Sequence, residues 1–320
     1  MSFVRVRGPG DPDQACDLVA AGLVEEYLKR DPQTRIHVRV VGGHGAIFVC
    51  GEVLSTADFD AGAVVRRILA INGTASNMEP FIALDTMSPT TMPEGLSRLV
   101  VSASGFATRE TPDRFPRAQS VARDIAQALE RKRTTDPDWF WLGADYSVSV
   151  MKKPEHQNTR TWEVIVRAQH LETEPLEQVR TRIREVCMAR MEDVEIKINV
   201  GGEEMQGGLA QAVGSSSRIS GLHVRHPLQM GSILCRALAR TCVESGLGTS
   251  VLVEAVWLPL EHQPSTIRIR NEKGENLLLR ITPEALDMRN IPEAWLEPQI
   301  ATSIVRAPFD GSVVLPWEVG

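Results

Sequence analysis

Two carboxylic acids stand two residues apart in the stretch RGPGDPDQACDLVAAGLVEEYLKRDP, residues 7–32. Asp11 and Asp13 could act together as an acid and base pair or bind a metal ion, because carboxylates serve both kinds of chemistry. A structural interpretation accounts for them as well. Asp11 is a candidate helix cap, because Pro12 follows it at the first helical position and Gln14 comes three residues after it, as in a helix-start box. Asp13 would then lie in the first turn, where its negative charge complements the helix dipole. The residues alone leave both interpretations open.

Four other residues carry side chains that can do chemistry. Glu52 lies in a predicted hairpin among apolar residues, which makes its carboxylate a candidate ligand-binding group. Arg218 lies in GSSSRIS, a loop whose backbone could bind an anion, although a solvated arginine is the simpler interpretation. His223 and His226 in HVRH are three apart, but no third ligand is evident and we expect no metal there. The sequence has no Walker loop, GxGxxG, HExxH or GxSxG motif.

The elements that must position these residues begin with a helix and a hairpin. Apolar residues at helical spacing predict an amphipathic helix over the opening stretch, with one face made by Ala15, Leu18, Val19, Gly22, Leu23 and Tyr27. Alternating apolar residues then predict a strand at 36–40, the turn GGHG and a returning strand AIFVCGEVL. A short helix, DAGAVVRRILAI, follows. The first part of the chain is therefore a helix, hairpin, helix unit.

The same order returns twice. The second pass has a helix at 117–133, strands YSVSVMK and TWEVIVRAQ, and a helix over 174–190. The third has a helix around 229–245, strands TSVLVEAVWL and STIRIRN, and a helix at PEALDM. The pattern predicts an α+β fold of three pseudo-symmetric helix and β-hairpin subdomains with mixed or antiparallel sheets. Strands such as VRVV and IFVCGEV are nearly continuously apolar, which predicts that both of their faces are covered.

Domain boundaries follow from this repeat. We expect subdomains at about 1–100, 101–215 and 216–320, with a chain that can interleave between them. The proline, glycine and serine content places linkers at Met87 to Ser97, Thr134 to Asp138 and Gly201 to Arg218.

Composition excludes several classes of protein. With 42% hydrophobic residues, 24% charged residues and a net charge of −6, the chain has enough apolar content for a large core and no overall attraction for nucleic acid or an anionic membrane. Five scattered cysteines without a CxxC pair indicate reduced core thiols, and a cytoplasmic location is expected. The start MSFVRVRGPG has no apolar signal run, and no stretch is long enough to span a membrane.

Several motifs resemble the S-adenosylmethionine synthetase (methionine adenosyltransferase) family. GDPDQ resembles its GHPDK, and DPQTRIHVRVVGGHGAIFVCGEV follows at similar spacing. GFATRET resembles GYATNET, INVGGEEMQGGL resembles INPTGRFVIGGP, and PST and the terminal PWE also have counterparts. The matches are colinear over nearly the whole chain. The resemblance implies three pseudo-symmetric α+β subdomains, a two-fold dimer through sheet faces and an active site between subunits.

The family's reaction sets what the site would need. Methionine sulfur attacks the 5′ carbon of ATP and expels the triphosphate, so the family holds about four negative charges with lysines, arginine, histidine, Mg²⁺ and a monovalent cation. This chain departs from that pattern at the catalytic histidine, now Asp11, and at three lysines, now Gln14, Ser147 and Ile219. Ala212 stands where the family has a carboxylate, and Glu204 stands where it has the aromatic residue that stacks on adenine. Two segments also differ: SRLVVSAS replaces the family's GAGDQG, and the short SGLHVRHPL replaces a long glycine-rich loop.

Some positions keep a role under the resemblance. Asp11, Asp145 and Arg218 are the catalytic candidates, Asp13 is a candidate Mg²⁺ ligand, and Glu52 is the carboxylate that would meet the methionine amino group. Arg39 stands where the family has a glutamate that helps bind the monovalent cation. Its guanidinium could take the place of that cation, so Arg39 is the second candidate substrate-binding residue.

Two functions follow from the resemblance. One is an enzyme of altered chemistry that acts on another nucleoside or amino acid in the pocket between subunits. The other is a non-catalytic relative that binds a true synthetase as a hetero-oligomer, or a small ligand such as ATP, methionine or a sulfonium compound. We expect a homodimer, no nucleic acid or membrane partner, and no ordinary conversion of ATP and methionine by the chain alone.

Overall fold

The computed structural model describes residues 3–74, 77–88, 96–153, 162–278 and 283–319. In chain order, the α-helices are α1 Pro12–Arg30, α2 Ala61–Ile71, α3 Arg117–Thr135, α4 Leu176–Met188, α5 Pro227–Glu244 and α6 Ile300–Arg306. The strands are β1 Phe3–Arg7, β2 Arg35–Gly43, β3 Ala46–Leu54, β4 Glu79–Thr86, β5 Val101–Thr108, β6 Leu142–Lys152, β7 Trp162–His170, β8 Val194–Ile198, β9 Gly214–Ser215, β10 Ser250–Trp257 and β11 Thr266–Asn271.

The strands of the described residues form three sheets, as the repeated pattern predicts. Their orders are β4-β3-β2-β9, β1-β6-β7-β8 and β11-β10-β5. The hairpins β2–β3, β6–β7 and β10–β11 are antiparallel, whereas β3–β4 and β7–β8 are parallel. The fold is therefore α+β with mixed sheets. All three predicted hairpins are confirmed.

Three strands join a sheet of another unit. β1 pairs with β6, β5 pairs with β10, and β9 pairs with β2. The boundaries at 1–100, 101–215 and 216–320 stay a prediction, and these strands cross them. The consequence for function is that β1 and the segment after β8 both approach the start of α1.

Helix α1 is buried on more sides than its sequence pattern predicts. Besides the predicted stripe, Cys16, Ala20, Ala21 and Val24 are also fully buried. The helix contacts β2, α2, β9 and α6. Its small residues allow neighbours to approach on several faces, so a helix predicted as amphipathic lies in the centre of the molecule.

Some local predictions need correction. PEALDM forms a short 3₁₀ helix at Pro283–Leu286 rather than an α-helix. The predicted linker at 134–138 is the end of α3 and a 3₁₀ turn, and the linker at 87–97 lies only partly in the described residues. Cys50 is exposed, whereas the other four cysteines are buried as expected.

The expectation that β2 and β3 are covered on both faces is not met within one chain. Val38, Val40 and Val49 face the core, but Phe48 on the opposite face is 52% exposed. Phe48 stacks on Phe81 of β4 with ring centroids 4.9 Å apart. One face of this sheet is thus exposed and partly apolar.

Candidate functional site

Asp11 caps α1, as one of the two sequence interpretations proposed. Its Oδ1 accepts a hydrogen bond of 3.4 Å from the Gln14 backbone N–H, and Pro12 occupies the first helical position. The side chain also forms ion pairs with Arg5 at 3.1 Å and Arg7 at 3.6 Å. Burial raises the pKa of Asp11 even though both arginines act to lower it. Asp11 is therefore a buried helix cap whose charge is balanced by two neighbouring arginines.

Asp13 uses its side chain in a similar way. Oδ2 pairs with Arg7 at 3.2 Å, and Oδ1 accepts the Ser215 backbone N–H at 3.0 Å. Asp17, one turn further along α1, accepts the Ser217 N–H and the Ser220 hydroxyl. Two backbone donors of the GSSSRIS loop are therefore taken by carboxylates of the protein itself, where the sequence had suggested an anion.

Asp145 lies in the same region. It pairs with Arg167 of β7 and accepts the Gly208 backbone N–H at 2.7 Å, while Arg167 also approaches Glu204 at 3.6 Å. Burial acts to lower the pKa of Arg167, but its hydrogen bond to Asp145 and the nearby charge raise the value overall. We call Asp11, Asp13, Asp145, Arg5, Arg7 and Arg167 the carboxylate cluster.

Two arginines of the carboxylate cluster, Arg7 and Arg167, flank Ser147, the position at which the family resemblance expects a lysine. Ser147 is the register partner of Arg7 on β1 and of Arg167 on β7, so the three side chains share one face of adjacent strands. Sequence reasoning missed these arginines. The alternation of Arg5 and Arg7 along β1 gave a usable signal for one shared face, but the pairing with Arg167 required the sheet register.

The carboxylate cluster does not fit a Mg²⁺ ion. Asp11, Asp13 and Asp145 already accept hydrogen bonds from backbone N–H groups and pair with guanidinium groups, and three arginines in the vicinity repel a divalent cation. The described residues also contain no group of three or more potential metal-binding side chains.

A second region lies beside β2 and the loop before α5. It is a cavity of about 320 Å³ that we call the arginine–histidine cavity. Its charged and imidazole side chains are Arg35, His37, Glu52, Arg98, Arg218, His223, Arg225 and His226. Its apolar side chains are Ile36, Met87, Leu96, Leu99, Leu222 and Leu228. Glu52 and Arg218, predicted separately, are brought together here.

Two histidines of this cavity have strongly lowered pKa values. Burial, with help from Arg225, lowers the pKa of His223 to about 4. Burial, with help from His37 and Arg218, lowers that of His226 to about 4. The Nδ1 of His226 accepts the Leu228 N–H at 3.2 Å and caps α5, and the Nδ1 of His223 accepts the Arg225 N–H at 2.9 Å. Both rings are therefore neutral near pH 7.

Arg39 joins neither region. It lies on the exposed face of β2, with Cys50 as its register partner on β3. Its charge contributes, after burial, to lowering the pKa of His37 on the same strand. Of the six predicted site residues, the structure thus groups three in the carboxylate cluster and two in the cavity.

Comparison with known proteins finds one family. Residues 5–89 match the S-adenosylmethionine synthetase N-terminal domain, and residues 101–203 match the central domain of the same family. The S-adenosylmethionine synthase of Sorangium cellulosum is 25% identical over 335 residues, which is 90% of this chain and 79% of that protein. The synthase of Gloeobacter violaceus is 30% identical over 174 residues, 47% of this chain and only 41% of that protein.

A solved structure shares the fold. It is described as an unusual S-adenosylmethionine synthetase from Campylobacter jejuni, and it superposes with a TM-score of 0.80 at 17% identity, covering 99% of this chain and 96% of that one. At this identity the likeness supports the fold alone. Within the described residues, no helix has the length and apolarity to cross a membrane.

Proposed function

Because the chain belongs to the S-adenosylmethionine synthetase family, we propose that it is a ligand-binding member that does not convert ATP and methionine by itself. The observation that carries the proposal is the carboxylate cluster. Three aspartates there are neutralised by three arginines, so this region offers no surplus positive charge for a triphosphate. Of the candidates for catalysis, Asp11 caps α1 and Asp145 pairs with Arg167.

The ligand site under this proposal is the arginine–histidine cavity. It combines apolar walls with Glu52, which the family resemblance associates with the methionine amino group, and Arg218, one of the catalytic candidates. A mostly apolar concave site with a few polar groups is the usual form of a small-molecule site. Candidate ligands are a nucleoside, an amino acid or a sulfonium compound.

The first experiment tests catalysis and binding separately. The purified chain is incubated with ATP, methionine and Mg²⁺, and S-adenosylmethionine and phosphate are measured. We expect neither product at enzymatic rates, and their formation would overturn the loss of catalysis. Thermal shift with ATP, methionine, adenosine and S-adenosylmethionine then tests binding, because a ligand that binds only the native state raises its stability.

Variants locate the bound ligand. We expect Arg218→Gln to reduce the thermal shift of whichever compound binds, and Arg268→Gln to leave it unchanged, since Arg268 lies on β11 in a solvent-exposed pair with Glu254. An unaffected shift in Arg218→Gln would place the ligand elsewhere.

The exposed face of the first sheet favours a second role as an association surface. Val41, Phe48 and Phe81 are 43–52% exposed and are register partners on the same face of neighbouring strands. Contiguous exposed apolar residues mark interaction sites. The proposed partner is a second copy of this chain, and the alternative is a true synthetase that completes the site as a hetero-oligomer.

A further inference from the structure

We infer that the ligand of the arginine–histidine cavity is an organic anion with at least two negative charges and an apolar body. The inference rests on the proposed function, since it takes the cavity to be a ligand site. It narrows the ligand class, because it excludes a sulfonium cation and disfavours an amino acid without an acidic side chain.

The formal charge of the cavity is the first argument. Among the described residues that line it, four are arginines and one, Glu52, carries a carboxylate. Arg98 and Arg218 form no ion pair with any described residue, whereas Arg35 and Arg225 have other contacts. Two guanidinium groups are therefore available at the mouth of the cavity, and each can bind a carboxylate or a phosphate through two parallel hydrogen bonds.

The histidines supply the second argument. Each of His223 and His226 uses Nδ1 to accept a backbone N–H, so each neutral ring carries its proton on Nε2. Their free ring nitrogens can then donate hydrogen bonds but not accept them. Their neutrality also means that they need no counter-charge, which leaves the arginines for the ligand. The side chains at this end of the cavity are thus hydrogen-bond donors.

The apolar walls supply the third argument. Leu96 and Leu222 are nearly buried, and Ile36, Leu228 and Met87 complete an apolar lining beside the charged groups. An inorganic anion would leave this surface in contact with water, whereas an organic anion covers it and gains about 25 cal/mol for each Å² removed from water. The ligand therefore combines an acidic group with an apolar part.

A matched series of probes tests the charge requirement. Phenyl phosphate and phenylsuccinate carry two charges on an aromatic body, 3-phenylpropionate carries one negative charge, and phenyltrimethylammonium carries one positive charge. Binding to the purified full chain is measured by calorimetry at pH 7.5. We expect both dianions to bind at least about tenfold more tightly than the monoanion, and the cation to show no binding. The two dianions distinguish a phosphate from a dicarboxylate preference.

Three variants test the location. Arg98→Gln and Arg218→Gln should each weaken binding of the better dianion by about tenfold, while Arg268→Gln leaves it unchanged. Glu52→Gln should strengthen dianion binding, because it removes the one acidic side chain among the described residues that line the cavity. A ligand whose ammonium group pairs with Glu52 would instead bind more weakly to Glu52→Gln.

The outcomes separate this inference from the proposed function. If S-adenosylmethionine or methionine binds in an Arg218-dependent way and the dianions do not, the cavity is a ligand site and the inferred charge is wrong. If dianions bind equally well to Arg98→Gln and Arg218→Gln, the inferred site is wrong. If none of these compounds, ATP or adenosine binds, the proposed function itself fails.

Discussion

Asp11 has a structural role at the start of α1. It caps α1 and pairs with Arg5 and Arg7, and its side chain is almost completely buried. A buried carboxylate keeps its charge only with partners of opposite charge nearby. The arginines on β1 are therefore the compensation that makes an aspartate tolerable at this position.

We expect Asp11→Ala to lower the free energy of unfolding by about 2 kcal/mol, since it removes the cap and the ion-pair partner of Arg5, while Arg7 keeps Asp13. Asp11→Asn should cost less, because an amide caps nearly as well and burial favours the neutral side chain. Urea denaturation measures both. The matched control is Asp60→Ala, which removes the exposed cap of α2 and should cost about 1 kcal/mol.

A different result would restore the chemical interpretation of this residue. If Asp11→Asn leaves stability unchanged but abolishes ligand binding or an activity, Asp11 and Asp13 act as a relocated acid, base or metal pair.

At the level of elements, the start of α5 depends on a neutral histidine. His226 caps this helix through Nδ1 and lies near His37 and Arg218, whose charges act with burial to lower its pKa to about 4. The folded-state pKa is below the ordinary value of 6.5, so the unfolded chain binds the proton more readily. The stability from this residue is fully present above pH 6.5 and is lost as the pH falls toward 4.

We expect His226→Asn to reduce this pH dependence, because asparagine is a good cap that does not titrate. Between pH 7 and pH 4.5 the wild type should lose up to about 2 kcal/mol more than the variant, at 1.36 kcal/mol for each pKa unit. Urea denaturation at several pH values measures the difference. His44→Asn, at an exposed turn with positive φ, is the control and should behave like the wild type. Parallel curves for wild type and His226→Asn would contradict the prediction.

For the molecule as a whole, the exposed face of the first sheet requires an explanation. Phe48 and Phe81 stack on each other and remain 52% and 50% exposed. Both belong to strands whose opposite faces lie against the core around α1. A two-fold dimer would cover these rings and meet the sequence expectation that both faces of β2 and β3 are buried.

We expect light scattering at micromolar concentration to show a dimer, and Phe81→Glu to convert it to a monomer, because a charge placed between apolar faces costs several kcal/mol on association. Phe140→Glu, at a more exposed phenylalanine on another surface, should leave the dimer intact. A wild-type monomer would contradict the prediction, and a complex formed only with a separate synthetase would support the hetero-oligomer.

The sequence by itself determined helices α1 to α5, the three hairpins and the family, whereas α6 was not predicted. Periodicity of apolar residues is a local property, so α1, α3 and α5 and the strands they precede could be predicted within a few residues. The cap at Asp11 was equally local and is confirmed, although the Gln14 side chain donates to the Val305 carbonyl and does not complete the helix-start box. The motifs were ordered along the chain, so the family could be identified although several motifs differ in individual residues.

Only the tertiary structure decided which charges meet. Arg7 and Arg167 are 160 positions apart in the sequence, and it is their common partner Ser147 in the sheet register that places both near the aspartates. The burial of α1 on several sides and the presence of Arg98 and Arg218 in one cavity likewise depend on elements from distant parts of the chain. Side-chain pairing and pKa shifts depend on distance and burial in space, which no local spacing specifies.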